Sequence, residues 1–224
     1  MNDLITATNV SIVIDHKTII DDISITIHSG KIIGVVGPNG GGKSTLVKAL
    51  VGIQPISSGT ITRSKDLRIG YLPQRPPQAQ DIPLTVDELW RVYQAYTDQG
   101  NALIKRFQLT KLKHKQVRTL SGGELQKVFI ISSLAHQPQL IILDEPSASI
   151  DSSSDNILDE LIQEQKALGT TIILISHDID SIAHQADTLV CLNQKIICAG
   201  KPQMVLRSEE FKEIISDAHH HHQH

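Results

Sequence analysis

Apolar residues recur along the chain in two strand-like patterns. Residues 23–27 alternate isoleucine with polar residues, which is the period-two pattern of a half-buried antiparallel strand. Ile32–Val36, residues 140–143 and Thr171–Ile175 are instead almost continuously apolar. Runs of this kind are typical of parallel strands covered on both faces. The pattern therefore predicts antiparallel strands at the start of the chain and a parallel sheet after them.

A helical pattern separates the last two of these runs. It covers residues 152–168, with Asp151 as the expected N-cap and Gly169 as the C-terminal stop. The predicted apolar face consists of Ile157, Leu158, Leu161, Ile162 and Leu168. Strands and helices that alternate in this way indicate an α/β fold.

The middle of the chain departs from this alternation. Prolines in residues 73–83 predict a loop, and from residue 85 to about 135 the pattern is helical, with Leu89, Val92 and Tyr96 at i, i+3 and i+7. We expect a helical lobe inserted into an α/β core. The predicted divisions are a core with an N-terminal β subdomain (1–76 and 136–200), a helical lobe (77–135) and a C-terminal extension (201–224).

Composition and charge argue against several classes of protein, namely nucleic-acid-binding, membrane-spanning, secreted and disulfide-rich proteins. A formal net charge of −3 gives no electrostatic case for a nucleic-acid partner. The apolar runs are far shorter than the roughly 20 residues that span a bilayer, and the N-terminus lacks the pattern of a signal peptide. Two cysteines are too few for a disulfide framework. A soluble cytoplasmic chain is the expectation.

A glycine-rich loop carries the first chemical signal. Residues 37–44 fit the pattern G-x-x-x-x-G-K-[ST], follow a buried strand and open a helix predicted over residues 44–51. Loop amides and the helix N-terminus attract phosphate oxygens, Lys43 reaches the terminal phosphates, and Ser44 can ligate Mg²⁺. The alternative is a turn with an incidental lysine. The predicted nucleotide-binding residues are Gly37, Pro38, Asn39, Gly40, Gly41, Gly42, Lys43, Ser44 and Thr45.

Two further segments add acids and a second anion site. Asp144 and Glu145 end a buried strand, where the first can hold Mg²⁺ and the second can polarise an attacking water. Two acids leaving a strand for solvent are the alternative. Ser121 can cap a helix while Gly122 and Gly123 present backbone amides to an anion. The alternative there is an ordinary capping box with Glu124 at the third helical position.

Together and in this order, the three motifs resemble an ATP-binding cassette (ABC) ATPase over roughly residues 4–200. The resemblance implies a P-loop NTPase (RecA-like) core that binds ATP with Mg²⁺. It also implies a homodimer packed head to tail, in which each ATP lies between one copy's P-loop and the partner copy. The residues implied to act across that dimer are Ser121, Gly122, Gly123 and Asp151.

The same resemblance assigns catalytic roles. Glu145 is implied to be the general base and His177 to contact the γ-phosphate. Gln74 is implied to sense Mg²⁺ and the attacking water and to couple the site to a membrane partner. Lys43 completes the implied catalytic set, and Ser44, Gln74 and Asp144 are the implied Mg²⁺ ligands.

Within this family, residues 67–74, 83–86, 190–193 and 197–200 are similar to bacterial zinc-importer ATPases. That similarity implies zinc import, permease subunits as partners and, indirectly, a periplasmic or surface metal-binding protein. The expected location is the cytoplasmic face of the inner membrane, as a peripheral subunit. An importer of manganese, an iron chelate or haem is the alternative, and a soluble ABC ATPase that works as a mechanical switch is the alternative from another class.

The histidine-rich C-terminus suggests regulation by zinc, because imidazoles are good Zn²⁺ ligands. A purification tag or a passive tail is the alternative. The candidate ligands are His219, His220, His221, His222 and His224.

Two smaller features complete the sequence predictions. All seven aromatic residues lie from Tyr71 onward, so Ile14, with His16 nearby, stands where the family usually stacks an aromatic ring on adenine. Weaker adenine recognition follows. Cys191 and Cys198 are expected to flank a hairpin that turns at residues 193–194 and to serve mainly as buried packing.

Overall fold

The structure is a computed structural model that describes residues 2–74, 81–146, 152–176 and 178–213, with backbone alone for residues 152–156. In these residues the strands are β1 (Asp3–Ile14), β2 (Lys17–His28), β3 (Ile32–Val36), β4 (Ser58–Arg63), β5 (Ile69–Leu72), β6 (Leu140–Asp144), β7 (Thr171–Ile175), β8 (Thr188–Asn193) and β9 (Lys195–Gly200). The helices are α1 (Lys43–Leu50), α2 (Val86–Val92), α3 (Asp98–Arg106), α4 (Gly122–Leu134), α5 (Ser152–Ala167), α6 (Ile179–Gln185) and α7 (Pro202–Val205).

The chain divides into two units, a first unit of residues 1–67 and 171–224 and a second unit of residues 68–170. The first unit begins with an antiparallel sheet in which β1 lies between β2 and β4. The predicted alternation is visible in β2, where Ile23 and Ile27 are buried and Ser24 is exposed. This confirms the antiparallel segment expected at the start of the chain.

The first unit also contains parallel pairing. β3 lies between β7 and β8 and runs parallel to both, while β9 returns antiparallel to β8. Every residue of β3 and β7 is buried, as the continuous apolar runs predicted. The β8–β9 hairpin turns at Gln194, within the predicted turn.

The second unit pairs β5 with β6 in parallel and also contains α2 to α5, of which α4 packs against β5. Trp90 of α2 is fully buried and its indole nitrogen donates to the carbonyl of Val128 in α4 at 3.4 Å. This contact joins two helices of the predicted helical segment. That segment is broken into α2, α3, short 3-10 helices at Leu109–Leu112 and Val117–Thr119, and α4.

Two apolar positions were assigned to the wrong face. Leu168 follows the end of α5 and is 75% exposed, so it does not share the buried face of Leu158, Leu161 and Ile162. Val92 is the last residue of α2 and is 67% exposed, because the helix ends before the i, i+3, i+7 pattern is complete. The stop at Gly169 is confirmed by its φ of 81°. Asp151 lies outside the described residues.

Candidate functional site

The loop between β3 and α1 is shaped by close backbone packing. Gly37 has a φ of 147°, and a Cβ placed there would lie 2.0 Å from the carbonyl oxygen of Leu192. Any side chain would therefore push the loop away from β8. Glycine at this position lets the loop fold directly against the strand behind it.

Gly42 directly precedes α1 and has a left-handed backbone conformation. Its φ is 94°, and a Cβ there would meet the Ile20 side chain at 2.6 Å and the Ile19 carbonyl at 2.8 Å. No side chain caps this helix. Since the first amides of a helix have no intrahelical acceptors, the start of α1 presents N–H groups and a partial positive charge to an anion.

Lys43 lies folded over the loop. Its Nζ donates to the carbonyl oxygens of Gly37 at 2.8 Å and Pro38 at 2.9 Å, and the side chain is buried. These bonds hold the ammonium at the mouth of the glycine loop. Of the other predicted phosphate-binding residues, Asn39 and Gly40 are exposed, while Ser44 and Thr45 are half-buried.

In the second unit, the structure brings together two residues that are 71 positions apart. Gln74 Nε2 donates to Glu145 Oε2 at 2.6 Å. Glu145 also has a φ of 51°, a left-handed conformation that is uncommon for a residue with a side chain. Such strain often occurs at functional positions. The hydrogen bond orients the carboxylate that the sequence analysis assigned as general base.

Asp144 ends β6 and is almost completely buried. Its charge acts on Tyr71, whose pKa rises from 10.0 to about 12, first because the phenol is buried and second because of the Asp144 carboxylate. Tyr71 had no role in the sequence analysis. The register of the β5–β6 pair places Tyr71 opposite Ile142, two residues before Asp144. This register is what brings the phenol near the carboxylate.

Ser121 caps α4 through a capping box. Its Oγ accepts from the Glu124 amide at 3.3 Å, and its own amide donates to Glu124 Oε2 at 2.9 Å. The latter bond, together with Lys115 nearby, holds the pKa of Glu124 below its usual range. Ser121 and Gly122 are exposed, so the cap leaves this helix start open to solvent.

Gln126 makes a contact to which the sequence analysis assigned no role. It is buried in α4, and its side-chain amide donates to the carbonyl of Pro146, directly after Glu145. Buried amides require partners, but the sequence around Gln126 contains Glu124 and Lys127 and gives no sign that Gln126 is buried. This bond ties the Ser121 helix to the backbone beside Glu145.

Several predicted site residues lie outside the described residues. His177, Asp151 and the C-terminal histidines (His219, His220, His221, His222 and His224) belong to this group. Their assigned roles remain predictions.

The described residues fit ATP with Mg²⁺. The glycine loop forms a cradle that a Cβ at Gly37 or Gly42 would fill, which suits a polyphosphate bound by backbone amides. The first unit offers the Ser44 hydroxyl, and the second unit offers the Gln74 amide oxygen and the Asp144 carboxylate. Oxygen atoms of these kinds are the ligands that Mg²⁺ prefers.

Comparison with known proteins identifies the family. A model of the family described as ABC transporter matches residues 20–148. The chain belongs to the ABC transporter family. As an ABC protein, it has an α/β P-loop NTPase fold with an N-terminal antiparallel β subdomain, as the sequence predicted. The family's ATPase subunits bind ATP with Mg²⁺, dimerise and pair with membrane permeases.

Relatives of this ABC chain match it over most of their length. The Zinc import ATP-binding protein ZnuC of Yersinia pestis bv. Antiqua (strain Antiqua) is 37% identical over 211 residues, which cover 93% of this chain and 83% of the relative. The protein of the same name from Buchnera aphidicola subsp. Acyrthosiphon pisum (strain APS) is 33% identical over 234 residues, covering 100% and 98%.

Solved structures support the same fold. A structure described as the ATP binding subunit of an ABC transporter superposes with a TM-score of 0.83 at 24% identity and covers 96% of this chain and 99% of that one. A nucleotide-free ATP-binding cassette from an ABC transporter gives 0.72 at 22% identity, covering 96% of each chain. Within the described parts of this ABC chain, no helix is long and apolar enough to cross a membrane.

Proposed function

We propose that this chain is the ATP-hydrolysing subunit of an importer that carries zinc across the cytoplasmic membrane. The observation that supports zinc is that relatives named for zinc import are 33–37% identical over 93–100% of the chain. The subunit would lie on the cytoplasmic face of the inner membrane, bound to permease subunits that receive zinc from a periplasmic or surface binding protein. The comparisons do not favour the alternatives of another cargo or a soluble mechanical switch.

The glycine loop would hold the nucleotide. Loop amides and the open start of α1 would bind the phosphates of ATP, and Lys43 would move its hydrogen bonds from Gly37 and Pro38 to a terminal phosphate oxygen. The nucleotide-binding set is therefore residues 37–45. Its supporting features are the uncapped start of α1 and the two glycines that admit no side chain.

Hydrolysis would proceed by attack of water on the γ-phosphate. The Glu145 carboxylate accepts the proton of that water, and Gln74 fixes the carboxylate through the 2.6 Å hydrogen bond. Ser44, Gln74 and Asp144 would hold Mg²⁺, which would supply positive charge against the phosphates. His177 would donate to the γ-phosphate.

A second copy would complete each nucleotide site. Ser121, Gly122 and Gly123 stand at the start of α4, where the first two are exposed and the third is half-buried, and would form an anion-binding site that is separate in sequence from the glycine loop. In a head-to-tail homodimer this second anion site would have a ligand, because the start of α4 in each copy would bind the ATP held by the partner copy. Asp151 would transmit the state of one site across the interface. The predicted division into core (1–76 and 136–200), helical lobe (77–135) and extension (201–224) remains part of this proposal.

Metal uptake by cells tests the cargo. Cells that lack this chain should lose uptake of radioactive zinc, and wild-type protein should restore it while Glu145→Gln does not. Manganese and haem uptake should stay unchanged in all strains and serve as the controls. Normal zinc uptake with loss of manganese, iron-chelate or haem uptake would instead assign one of the alternative cargoes.

We also propose that the histidine tail senses zinc. A chain ending at Ala218 should hydrolyse ATP at the wild-type rate without zinc, but its rate should no longer respond when zinc is titrated. The measurement is ATPase activity of both chains over a zinc series. Identical curves would mean that the tail is passive.

A further inference from the structure

The two cysteines of this chain lie opposite each other on neighbouring strands. Cys191 of β8 and Cys198 of β9 are register partners in the antiparallel hairpin. Cys191 is fully buried and Cys198 is half-buried. Since the chain contains two cysteines in total, any disulfide within one molecule must join this pair.

The geometry of such a pair is close to that of a disulfide. Opposed residues in an antiparallel pair have Cα atoms about 4.5–5.5 Å apart, within the range of about 4.4–6.8 Å that a disulfide accepts. Their Cβ atoms are typically about 4.5–5.5 Å apart, whereas a disulfide needs about 3.5–4.5 Å. Oxidation would therefore draw the two strands together by up to about 1 Å.

The same hairpin supports the glycine loop. The Leu192 carbonyl, next to Cys191, is the group that excludes a side chain at Gly37 and that a Cβ at Gly41 would meet at 2.9 Å. At the tip, the Gln194 amide donates to the Gly41 carbonyl at 2.9 Å. A shift of β8 at Cys191 must therefore move the loop that rests on it.

The pairing of β8 with β9 shows which part of the hairpin would deform when the disulfide forms. Between Cys191 and Leu192 the register slips by one residue, and the extra residue on β9 is Ile197, which is 40% exposed. Bulges of this kind bend a strand locally and loosen its pairing. Because the extra residue lies on β9, drawing the cysteines together would bend β9 near Ile197. β9 leads directly back to Gln194, whose amide holds the Gly41 carbonyl, so this bend would reach the glycine loop.

We propose that Cys191 and Cys198 form a reversible thiol–disulfide site, oxidised by a small-molecule disulfide such as oxidised glutathione, which weakens nucleotide binding by displacing the glycine loop. This inference rests on the proposed nucleotide site at residues 37–45.

The exchange balances in two steps. The Cys198 thiol loses its proton, and the resulting thiolate attacks one sulfur of the small-molecule disulfide. A mixed disulfide forms, and the expelled thiolate takes up a proton. The Cys191 thiol then loses its proton and attacks the Cys198 sulfur, which forms the Cys191–Cys198 bond and expels the second thiolate, which is protonated in turn. The two cysteines are oxidised and the small disulfide is reduced to two thiols.

Exposure and acidity set this order. Cys198 is accessible to a small disulfide, whereas Cys191 is not. Burial raises the pKa of the Cys191 thiol, and its hydrogen bond with Cys198 raises the pKa further. Cys198 therefore reacts first, and Cys191 reacts second, with the mixed disulfide that lies against it.

Oxidation of the intact protein tests the proposal. Treatment with oxidised glutathione should remove the mass of two hydrogens and both free thiols, without forming covalent dimers. The affinity for a fluorescent ATP analogue should then fall roughly tenfold, since displacements of about 1 Å at a site have large effects, and dithiothreitol should restore it. Cys198→Ser and Cys191→Ala each keep one thiol, so their affinities should be unchanged by the same treatment.

Each contrary result has a distinct meaning. A stable glutathione adduct on Cys198 with a free Cys191 would overturn the disulfide, and so would unreacted thiols. A disulfide that leaves the affinity unchanged would overturn the link to the glycine loop. Failure of the reduced wild-type protein to bind the analogue would instead contradict the proposed nucleotide site, independently of the thiol chemistry.

Discussion

Tyr71 is a single residue whose environment is unfavourable in a way that its neighbours in sequence do not reveal. The Tyr71 hydroxyl is buried and has no hydrogen-bond partner among the described residues. A buried polar group in this state costs about 1–3 kcal/mol of stability. The hydroxyl also lies in the field of the Asp144 carboxylate, which opposes its ionisation. Tyr71 therefore weakens the second unit at the strand that leads to Gln74.

Replacing this residue should stabilise the protein. Tyr71→Phe removes the hydroxyl and keeps the ring, so the free energy of unfolding should rise by about 1 kcal/mol. Urea denaturation at neutral pH measures the change. Tyr93→Phe is the matched control, because Tyr93 is 40% exposed and its replacement should leave stability nearly unchanged. A loss of stability in Tyr71→Phe would show that the hydroxyl is hydrogen-bonded in solution.

The pKa of Tyr71 adds a pH dependence. Its folded value of about 12 exceeds the ordinary 10.0, so from about pH 10 upward the unfolded chain loses this proton first. The folded state then loses stability as the pH rises towards 12. In thermal melts between pH 9 and 11, the stability of Tyr71→Phe should fall less steeply with pH than that of the wild type, because the variant lacks one titrating group. Equal slopes for both proteins would contradict the raised pKa.

Ile14 is the residue that bears on adenine recognition. It ends β1, is 37% exposed, and precedes a turn in which Asp15 and His16 both have positive φ. Ile14→Tyr should tighten ATP binding by roughly ten- to a hundredfold if a stacked ring supplies what isoleucine lacks. Calorimetric titration measures the affinity. Val13→Tyr, at the adjacent exposed position on the other face of the strand, should leave it unchanged; equal effects would rule out stacking at Ile14.

At the scale of elements, two helices of the second unit begin in the same way. Thr85 caps α2 and Ser121 caps α4, each through a complete capping box. In both boxes the backbone amide of the third helical residue donates to the cap hydroxyl at 3.3 Å. The two caps are thus structurally equivalent, and the proposed phosphate contact across a dimer distinguishes Ser121 from Thr85.

That equivalence provides a matched pair of variants. Ser121→Ala and Thr85→Ala should each lower the free energy of unfolding by about 1 kcal/mol. Only Ser121→Ala should also lower ATP hydrolysis, by roughly a hundredfold, because it removes a donor to the developing phosphate charge. Denaturation and steady-state ATPase assays measure the two effects. Similar activity in both variants would reduce Ser121 to a helix cap.

At the scale of the whole molecule, the proposed dimer depends on ATP remaining bound. Glu145→Gln cannot accept the proton of the attacking water, so hydrolysis should fall by roughly 10²–10⁴-fold. The variant should then accumulate as an ATP-bound homodimer, measured by size-exclusion chromatography with light scattering. The matched control is the same variant with ADP, which should remain monomeric. Wild-type hydrolysis by Glu145→Gln would contradict the role of this residue as general base.

Sequence alone determined the features that a few neighbouring residues encode. The buried runs of β3, β6 and β7, the glycine loop before α1 and the helix cap at Ser121 were all predicted, and the capping box there was the stated alternative, since periodicity and i, i+3 hydrogen bonds are local. The assignment to the ABC family followed from the order of these motifs. Local patterns failed at Val92 and Leu168, because each lies where a helix ends and the packing of the chain decides exposure.

Tertiary structure decided the contacts between distant segments. The hydrogen bond from Gln74 to Glu145, the Leu192 carbonyl against Gly37, and the bond from Gln126 to Pro146 all join residues far apart in the chain. The pairing of Cys191 with Cys198 depends on a one-residue slip in the hairpin. Such contacts arise from how folded segments pack, and no local period records them. The sequence therefore determined which chemical groups this protein carries, and the fold decided which of them act on one another.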